Sequence, residues 1–124
     1  MKEDLPAEQI RAWGFYEIFD TKDLYQVKRH TIHPGKRNSY QRHKRRTEYW
    51  IIVEGECKAT INDEFVLAGP GEMIAVPVGA KHRWSNQGET NLILIEVQTG
   101  DYFGEDDIER FEDDYGRVGS TSPH

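Results

Sequence analysis

Residues 34–55 read "PGKRNSYQRHKRRTEYWIIVEG" and carry most of the pattern from which the fold is predicted. A turn ends at Gly35, and Gln41 and His43 follow two residues apart, so on a strand both side chains point to the same face. Glu48 comes five residues after His43. A hairpin with its turn at "KRRT" would place Glu48 opposite His43. The stretch therefore predicts two short strands that present nitrogen and oxygen donors together.

Residues 71–86, "GEMIAVPVGAKHRWSN", supply a fourth donor. Pro77 ends a strand, Gly79 permits a tight turn, and His82 opens the next strand. Each motif alone is more typical of surface residues, but together they indicate a metal site. Two imidazoles, a carboxylate and an amide oxygen suit Zn²⁺ first, with Mn²⁺, Fe²⁺, Co²⁺ and Ni²⁺ as alternatives. We predict one divalent metal ion bound by Gln41, His43, Glu48 and His82.

The rest of the chain repeats the rhythm of short strands and turns. Segments rich in Val, Ile, Tyr and Trp run from "WGFYEIFD" to "LILIEV", separated by turns such as "VEGE", "INDE" and "AGPGE". This rhythm predicts an all-β sandwich or small barrel, and 124 residues are enough for one domain. The predicted division is an N-terminal extension (1–12), a barrel (13–104), a short C-terminal helix packed on the barrel (105–117) and a tail (118–124).

Both ends of the chain predict short helices. Pro6 suits the first turn of an N-terminal helix. Near the other end, Ile108, Phe111 and Tyr115 follow one another at three- and four-residue spacings, which is typical of a helix with one apolar face.

Composition excludes several classes of partner. The formal net charge of −6 disfavours nucleic acid and anionic membranes, and the single cysteine, Cys57, excludes an internal disulfide. No apolar run reaches the length of a signal sequence or membrane span, so we expect a cytoplasmic protein. The segments "YWIIV" and "LILIEV" are apolar on both faces, which indicates either a double-sheet roll or a dimer contact, and we predict a homodimer.

Both donor motifs resemble those of the cupins. The first fits G-x5-H-x-H-x4-E-x6-G, from Gly35 to Gly55, with Gln41 in place of the first histidine. The second fits G-x5-P-x-G-x2-H-x3-N at every specified position, from Gly71 to Asn86. The resemblance implies a single-domain double-stranded antiparallel β-helix, the jelly-roll barrel, with short terminal helices.

A closer resemblance is to the type II mannose-6-phosphate isomerases, whose domain also occurs fused behind a GDP-mannose pyrophosphorylase. Their final motif is matched throughout by "GEDDIERFEDDYGR". Their first two motifs are matched at Arg11, Trp13, Gly14 and Glu17, and at Gln41, His43, Arg46, Glu48 and Trp50. The chain departs from these motifs at Ala12, Lys44, Arg45 and Tyr49.

The resemblance implies a metal-dependent isomerase that interconverts mannose 6-phosphate and fructose 6-phosphate by moving a proton between C2 and C1. Two alternatives stay open. A cupin that binds sugar phosphate without catalysis is favoured by the lost histidines at Lys44, Arg45 and Tyr49. An Fe(II) oxygenase is less favoured, because Gln41 would occupy a coordination position that dioxygen chemistry needs open.

Candidate ligand-binding and catalytic residues follow from the same resemblance. Arg46 is the first candidate for the phosphate, because guanidinium groups form paired hydrogen bonds with phosphate. Arg29 or Lys28 could add to it, since adjacent strand residues face opposite ways, and Trp50 could stack on the sugar. The base stays open among a metal-bound hydroxide, Lys28, Lys81 and His30.

Overall fold

The structure is a computed structural model that describes residues 5–118, and nearly all of its regular structure is β. A 3₁₀ turn, Ala7–Gln9, precedes the first strand. The strands are β1 (Ile10–Arg11), β2 (Gly14–Thr21), β3 (Tyr25–Ile32), β4 (Tyr40–Arg42), β5 (Arg46–Glu54), β6 (Cys57–Ile61), β7 (Glu64–Ala68), β8 (Met73–Val76), β9 (His82–Ser85), β10 (Leu92–Gly100) and β11 (Glu109–Glu112).

Two antiparallel sheets make up the fold. The larger sheet has the order β1-β2-β3-β10-β5-β8, and the smaller has the order β11-β4-β9-β6-β7. Strand β10 pairs with β3 on one side and β5 on the other, although these strands are far apart in sequence. The predicted all-β, antiparallel architecture is confirmed. The described residues contain no helix long and apolar enough to cross a membrane.

The inner face of the larger sheet is divided into an apolar end and a polar end. On β10, Leu92 and Leu94 are fully buried, and the next two inward residues are Glu96 and Gln98. The strands on either side of β10 change from apolar to polar residues at the same level of the sheet. Leu92 lies opposite Ile32 of β3, whereas Gln98 lies opposite Glu48 of β5. The apolar end packs as the core, and the polar end is left to form a site.

The predicted hairpin between Gln41 and Glu48 is wrong. Strand β4 carries Gln41 in the smaller sheet and pairs with β9 and β11, whereas β5 carries Glu48 in the larger sheet. The "HKRR" segment therefore crosses from one sheet to the other. His43 and Glu48 face each other across the sandwich because the inner faces of the two sheets meet there.

The predicted C-terminal helix over 105–117 is also wrong. Residues Glu109–Glu112 form strand β11, which pairs with β4 at the edge of the smaller sheet. The unpaired backbone groups of β4 can be satisfied by a strand but not by a helix packed on its face. At the other end, the predicted extension contributes β1 to the larger sheet. Residues 1–4 and 119–124, including most of the predicted tail, lie outside the described residues.

Candidate metal centre

Three potential metal ligands converge at the polar end of the sandwich. His43 follows β4, Glu48 lies on β5, and His82 opens β9. One ligand atom from each lies within 4.8 Å of the others. The amide of Gly79, whose φ of +81° favours glycine, donates to the His43 carbonyl over 2.9 Å and so ties the two donor motifs together. The sequence prediction that these three residues meet agrees with this geometry.

Hydrogen bonds orient both imidazole rings toward Glu48. His43 places Nδ1 2.6 Å from the carbonyl oxygen of Asp107, and His82 places Nδ1 2.9 Å from that of Ala80. A carbonyl only accepts, so Nδ1 carries the proton in each ring and Nε2 presents a lone pair. Nε2 of His82 is buried and has no hydrogen-bond partner in the part of the chain described. This arrangement is typical of histidines that bind a metal through Nε2.

The surroundings of His43 and Glu48 favour the protonation states in which these two side chains can bind a metal ion. Burial, assisted by the charge on Arg46, lowers the pKa of His43 to about 4, so its imidazole is neutral at pH 7. Burial alone would raise the pKa of Glu48, but Arg46 and the imidazoles of His82 and His43 outweigh it and hold that pKa well below its usual value. A neutral His43 beside an ionised Glu48 fits a divalent cation.

Arg46 lies against the ligands rather than apart from them. Its Nε donates to Glu48 Oε2 over 2.9 Å, and its Nη2 donates to His43 Nε2 over 3.0 Å. The remaining nitrogen, Nη1, is buried without a hydrogen-bond partner within the described residues. The predicted phosphate ligand thus lines the site, with one donor still available.

Gln41 also reaches the centre, but with its nitrogen. Its Nε2 lies 3.3 Å from His43 Nε2, while its carbonyl oxygen accepts a hydrogen bond from the Ser39 hydroxyl. The amide would have to turn over to offer oxygen to a metal. The structure therefore brings Gln41 next to the other three donors without presenting its carbonyl to them.

A cavity opens beside the ligands and is lined mostly by polar side chains. Lys28 and Glu105 form an ion pair of 2.6 Å within it, and His30 Nε2 lies 2.8 Å from Glu96 Oε1. The lining is completed by Arg11, Trp13, Asn38, Ser39, Gln41, Arg46, Glu48, Trp84, Gln98, Ile108, Arg110 and Arg117. This polar chamber is the natural place for a small, highly oxygenated ligand.

The other predicted site residues divide between the cavity and the rest of the molecule. Lys28 faces inward, and although burial opposes its charge, Glu105 and Glu96 raise its pKa, so it is a cation rather than a base at pH 7. Trp50 is fully buried in the core and donates to Glu48 Oε1 over 3.0 Å. Arg29 pairs with Glu17 on the outer face, and Lys81 lies over the Phe111 ring, so neither lines the cavity.

Sequence reasoning missed several residues of the cavity. Glu96 shares a face with Leu92 and Leu94, so the alternation within "LILIEV" already indicated an inward carboxylate. Glu105, Arg110 and Arg117 belong to "GEDDIERFEDDYGR", which the sequence analysis predicted to be a short helix packed on the barrel. Arg11 was noted only as part of a motif. No local signal placed the C-terminal segment against the mouth of the barrel.

Because of the Lys28–Glu105 pair, the free energy of unfolding depends on pH. Burial opposes ionisation of Glu105, but Lys28 and Arg46 lower its pKa from 4.5 to about 2. A depressed carboxyl pKa contributes stability that is complete above pH 4.5 and is lost as the pH falls toward 2. We expect Glu105→Gln to flatten this part of the pH dependence. Urea unfolding measured from pH 7 to 2 tests this prediction. If the free energy of unfolding depends on pH equally in both proteins, the prediction is contradicted.

Solved structures with similar folds support the cupin architecture. A protein with a double-stranded β-helix domain from Klebsiella pneumoniae superimposes with a TM-score of 0.72 at 18% identity, covering 85% of this chain and 87% of that chain. The Cnp3 cupin domain of Schizosaccharomyces pombe gives a TM-score of 0.67 at 16% identity, covering 70% and 64%. The predicted cupin fold is confirmed.

Curated relatives correct the functional prediction. The chain is 49% identical over 111 residues to mannose-1-phosphate guanylyltransferase ManC of Salmonella typhimurium. It is 48% identical over 108 residues to the xanthan biosynthesis protein XanB of Xanthomonas campestris (strain B100), and 44% identical over 112 residues to the alginate biosynthesis protein AlgA of Pseudomonas aeruginosa. These matches cover 90%, 87% and 90% of this chain but only 23% of each relative.

The predicted mannose-6-phosphate isomerase function is therefore wrong. The relatives' names denote guanylyl transfer and polysaccharide biosynthesis, and this chain corresponds to less than a quarter of their length. A cupin domain hosts many chemistries, so likeness of motif alone does not fix a reaction. The family itself is shown, because the family model described as "Mannose-6-phosphate isomerase C-terminal" matches residues 2–113. This cupin chain belongs to that family.

Proposed function

We propose that this chain is a metal-binding cupin domain that binds a mannose-based ligand in the biosynthesis of mannose-containing polysaccharides. The observation that carries the proposal is the convergence of two buried histidines on a buried carboxylate, Glu48, which also lines a polar cavity. The choice of mannose comes from the relatives' names, which include a mannose-1-phosphate guanylyltransferase and two polysaccharide biosynthesis proteins.

In this proposal His43, Glu48 and His82 hold one divalent ion, and Gln41 becomes the fourth ligand when its amide turns over. Zn²⁺ suits the nitrogen and oxygen donors best, and Mn²⁺, Fe²⁺, Co²⁺ and Ni²⁺ are the competitors. A bound ion of this kind polarises the oxygens of a sugar hydroxyl or carbonyl as a Lewis acid.

The protein side chains have separate tasks around that ion. Asp107 and Ala80 fix the imidazole tautomers through their carbonyls. Lys28 and the unpartnered Nη1 of Arg46 present positive charge to the cavity, where both are shielded from bulk water. We therefore expect an anionic sugar to be preferred over a neutral one.

The test compares metal-free and metal-loaded protein. Protein stripped with EDTA is reloaded with one equivalent of each candidate ion and titrated calorimetrically with mannose 1-phosphate and mannose 6-phosphate. Binding that appears only after loading, and that is absent in His82→Ala, supports the proposal. Equal binding by the stripped and loaded proteins, or failure to take up any of the ions, would refute it.

We also propose that the domain works as a cytoplasmic homodimer joined through the outer face of the larger sheet. The outward residues of β5, β8 and β10 carry one charge, on Glu54 at the end of β5, and Ile51, Val53 and Met73 remain 39%, 51% and 58% exposed. Ile51 lies opposite both Met73 and Ile95, so these residues form a continuous apolar surface. A second copy of the same apolar surface is its natural partner.

Sedimentation at micromolar concentration tests the dimer. We expect the parent chain to sediment as a dimer and Val53→Lys to sediment as a monomer, because a buried lysine would lack a partner at the interface. Phe65→Lys is the matched control, since Phe65 is 70% exposed but lies on the smaller sheet. A 14.4 kDa species for the parent would exclude the dimer.

A further inference from the structure

A second cavity lies on the outer face of the smaller sheet. His82 points inward to the metal-ligand candidates, so the next residue of β9, Arg83, points outward. Thr60 of β6 lies opposite Arg83, and Phe65 of β7 lies opposite Thr60, so these three residues form a row across neighbouring strands. On the other side, the Arg83 guanidinium lies 5.9 Å from the centroid of the Tyr40 ring. The cavity beside this row has a volume of about 260 Å³.

Arg83, which lines this outer cavity, is buried with one guanidinium nitrogen left over. The residue is 5% exposed. Its Nε donates to the carbonyl oxygen of Asn38 over 3.0 Å, and its Nη1 donates to Glu112 Oε1 over 3.0 Å. Its Nη2 is buried and has no hydrogen-bond partner among residues 5–118. Because nearly all buried polar groups in folded proteins are satisfied, this nitrogen indicates that an acceptor oxygen binds here.

Positive and negative groups are balanced around the outer cavity. Its charged lining residues are two arginines and two carboxylates, Arg37, Arg83, Asp63 and Glu112. Arg37 is held by two hydrogen bonds of 2.8 Å to Asp114, which adds a further negative charge nearby. The carboxylates oppose the charge of an entering anion, and the arginines oppose that of a cation. A hydroxyl group both donates and accepts hydrogen bonds, so it suits both kinds of neighbour.

Phe65 supplies an apolar surface next to these polar groups. Lys58 Nζ lies over its ring, 4.3 Å from the centroid, yet the residue is still 70% exposed. A pyranose ring combines a flat face of C–H groups with a rim of hydroxyls, which matches an aromatic ring beside arginine and carboxylate groups. The volume of about 260 Å³ is below the about 300–1,000 Å³ of most small-molecule sites, so a single ring is expected to enter.

We infer that Arg83, Glu112 and Phe65 form a binding site for one neutral pyranose ring on the outer face of the smaller sheet. Nη2 of Arg83 donates to a hydroxyl oxygen of the sugar, and the Glu112 carboxylate accepts from a neighbouring hydroxyl. Phe65 packs against the C–H face of the ring. The site uses no metal ligand and no phosphate, so it goes beyond the proposed function and is independent of it. The ring is either a free monosaccharide or the end of an oligosaccharide.

Amide chemical shifts measured during titration with D-mannose, mannotriose and mannose 6-phosphate locate the site. We expect mannose to shift the amides of Thr60, Phe65 and Arg83 equally in zinc-loaded and EDTA-stripped protein. Mannotriose that binds at least as tightly identifies the end of an oligosaccharide as the ligand, whereas a response to mannose alone identifies a free monosaccharide. Mannose 6-phosphate should bind this site more weakly than mannose, because the carboxylates oppose its charge. Unshifted amides in this row, a response that requires zinc, or tighter binding of mannose 6-phosphate would overturn the inference.

Two exposed side chains are replaced to measure their share of the affinity. We expect the Kd for mannose to rise by about 3- to 10-fold in Phe65→Ala and by about 10-fold or more in Glu112→Ala. Leu67→Ala is the control for Phe65, because Leu67 is 65% exposed on the same strand but does not line the cavity. Glu109→Ala is the control for Glu112, because Glu109 also pairs with an arginine on β11's neighbour and lies outside the lining. Both controls should bind mannose as the parent does, and equal losses in variants and controls would exclude the site.

Discussion

Replacing Glu48 with glutamine is expected to lower the free energy of unfolding of the metal-free protein by about 3–5 kcal/mol. Glu48 is 3% exposed, and its carboxylate is the hydrogen-bonded counter-charge of Arg46, which is 4% exposed. The amide keeps the shape of the side chain but leaves the buried guanidinium without its directly bonded counter-charge. Urea unfolding in the presence of EDTA measures the loss.

A second variant separates the charge effect from general damage to the core. Glu48→Gln combined with Arg46→Met removes both charges, so it should regain most of the lost stability. Glu109→Gln serves as the control, because the Arg42–Glu109 pair is exposed and should be worth less than about 1 kcal/mol. If Glu48→Gln lowers the free energy of unfolding no more than Glu109→Gln does, the buried ion pair does not stabilise the protein.

Replacing His82 with alanine is expected to lower zinc affinity by more than about 100-fold, because one of two imidazole ligands is lost. In the parent, zinc at a hundred times its Kd should raise the free energy of unfolding by about 2.7 kcal/mol, and this gain should vanish in the variant. Thermal unfolding with and without zinc measures it. His33→Ala is the control, since the His33 side chain bonds Asn91 and does not line the cavity. A zinc-dependent gain that survives in His82→Ala would exclude His82 as a ligand.

Much of the metal centre could be predicted because its determinants are local. The two-residue step from Gln41 to His43, the turn at Gly79 and the strand start at His82 depend on a few neighbouring residues each. Such features follow from strand periodicity and turn stereochemistry. The alternation of Lys28 and Arg29 predicted that one of the two faces inward, but only the structure shows that it is Lys28.

Features that depend on long-range pairing could not be predicted in the same way. Whether the strand after His43 returns to β4 or crosses to the other sheet is decided by β10, which pairs with β5 and lies more than forty residues later in the chain. The segment 105–117 has a helical spacing of apolar residues, yet the free edge of β4 makes part of it a strand. Tertiary context overrode local preference in both cases.

The charged partners of Lys28 could not be predicted for the same reason. Lys28 resembled a candidate base while its partner was unknown, and Glu105 is 77 residues away in sequence. Once paired, Lys28 holds its proton, and its contribution becomes positive charge facing the ligand. Asp107, which lies in the segment predicted to be a helix, instead orients His43 and caps the crossing segment through the amides of Lys44 and Arg45.

X-ray absorption spectroscopy of the protein loaded with one equivalent of zinc tests whether His43, Glu48 and His82 bind a metal ion together. We expect one tightly bound ion with two imidazole nitrogens at about 2.0–2.1 Å and oxygen ligands at about 2.0–2.2 Å. In His82→Ala, the scattering should fall to one imidazole in whatever zinc remains bound. A spectrum without imidazole scattering, or the same two-imidazole spectrum from His82→Ala, would contradict the metal centre formed by His43, Glu48 and His82.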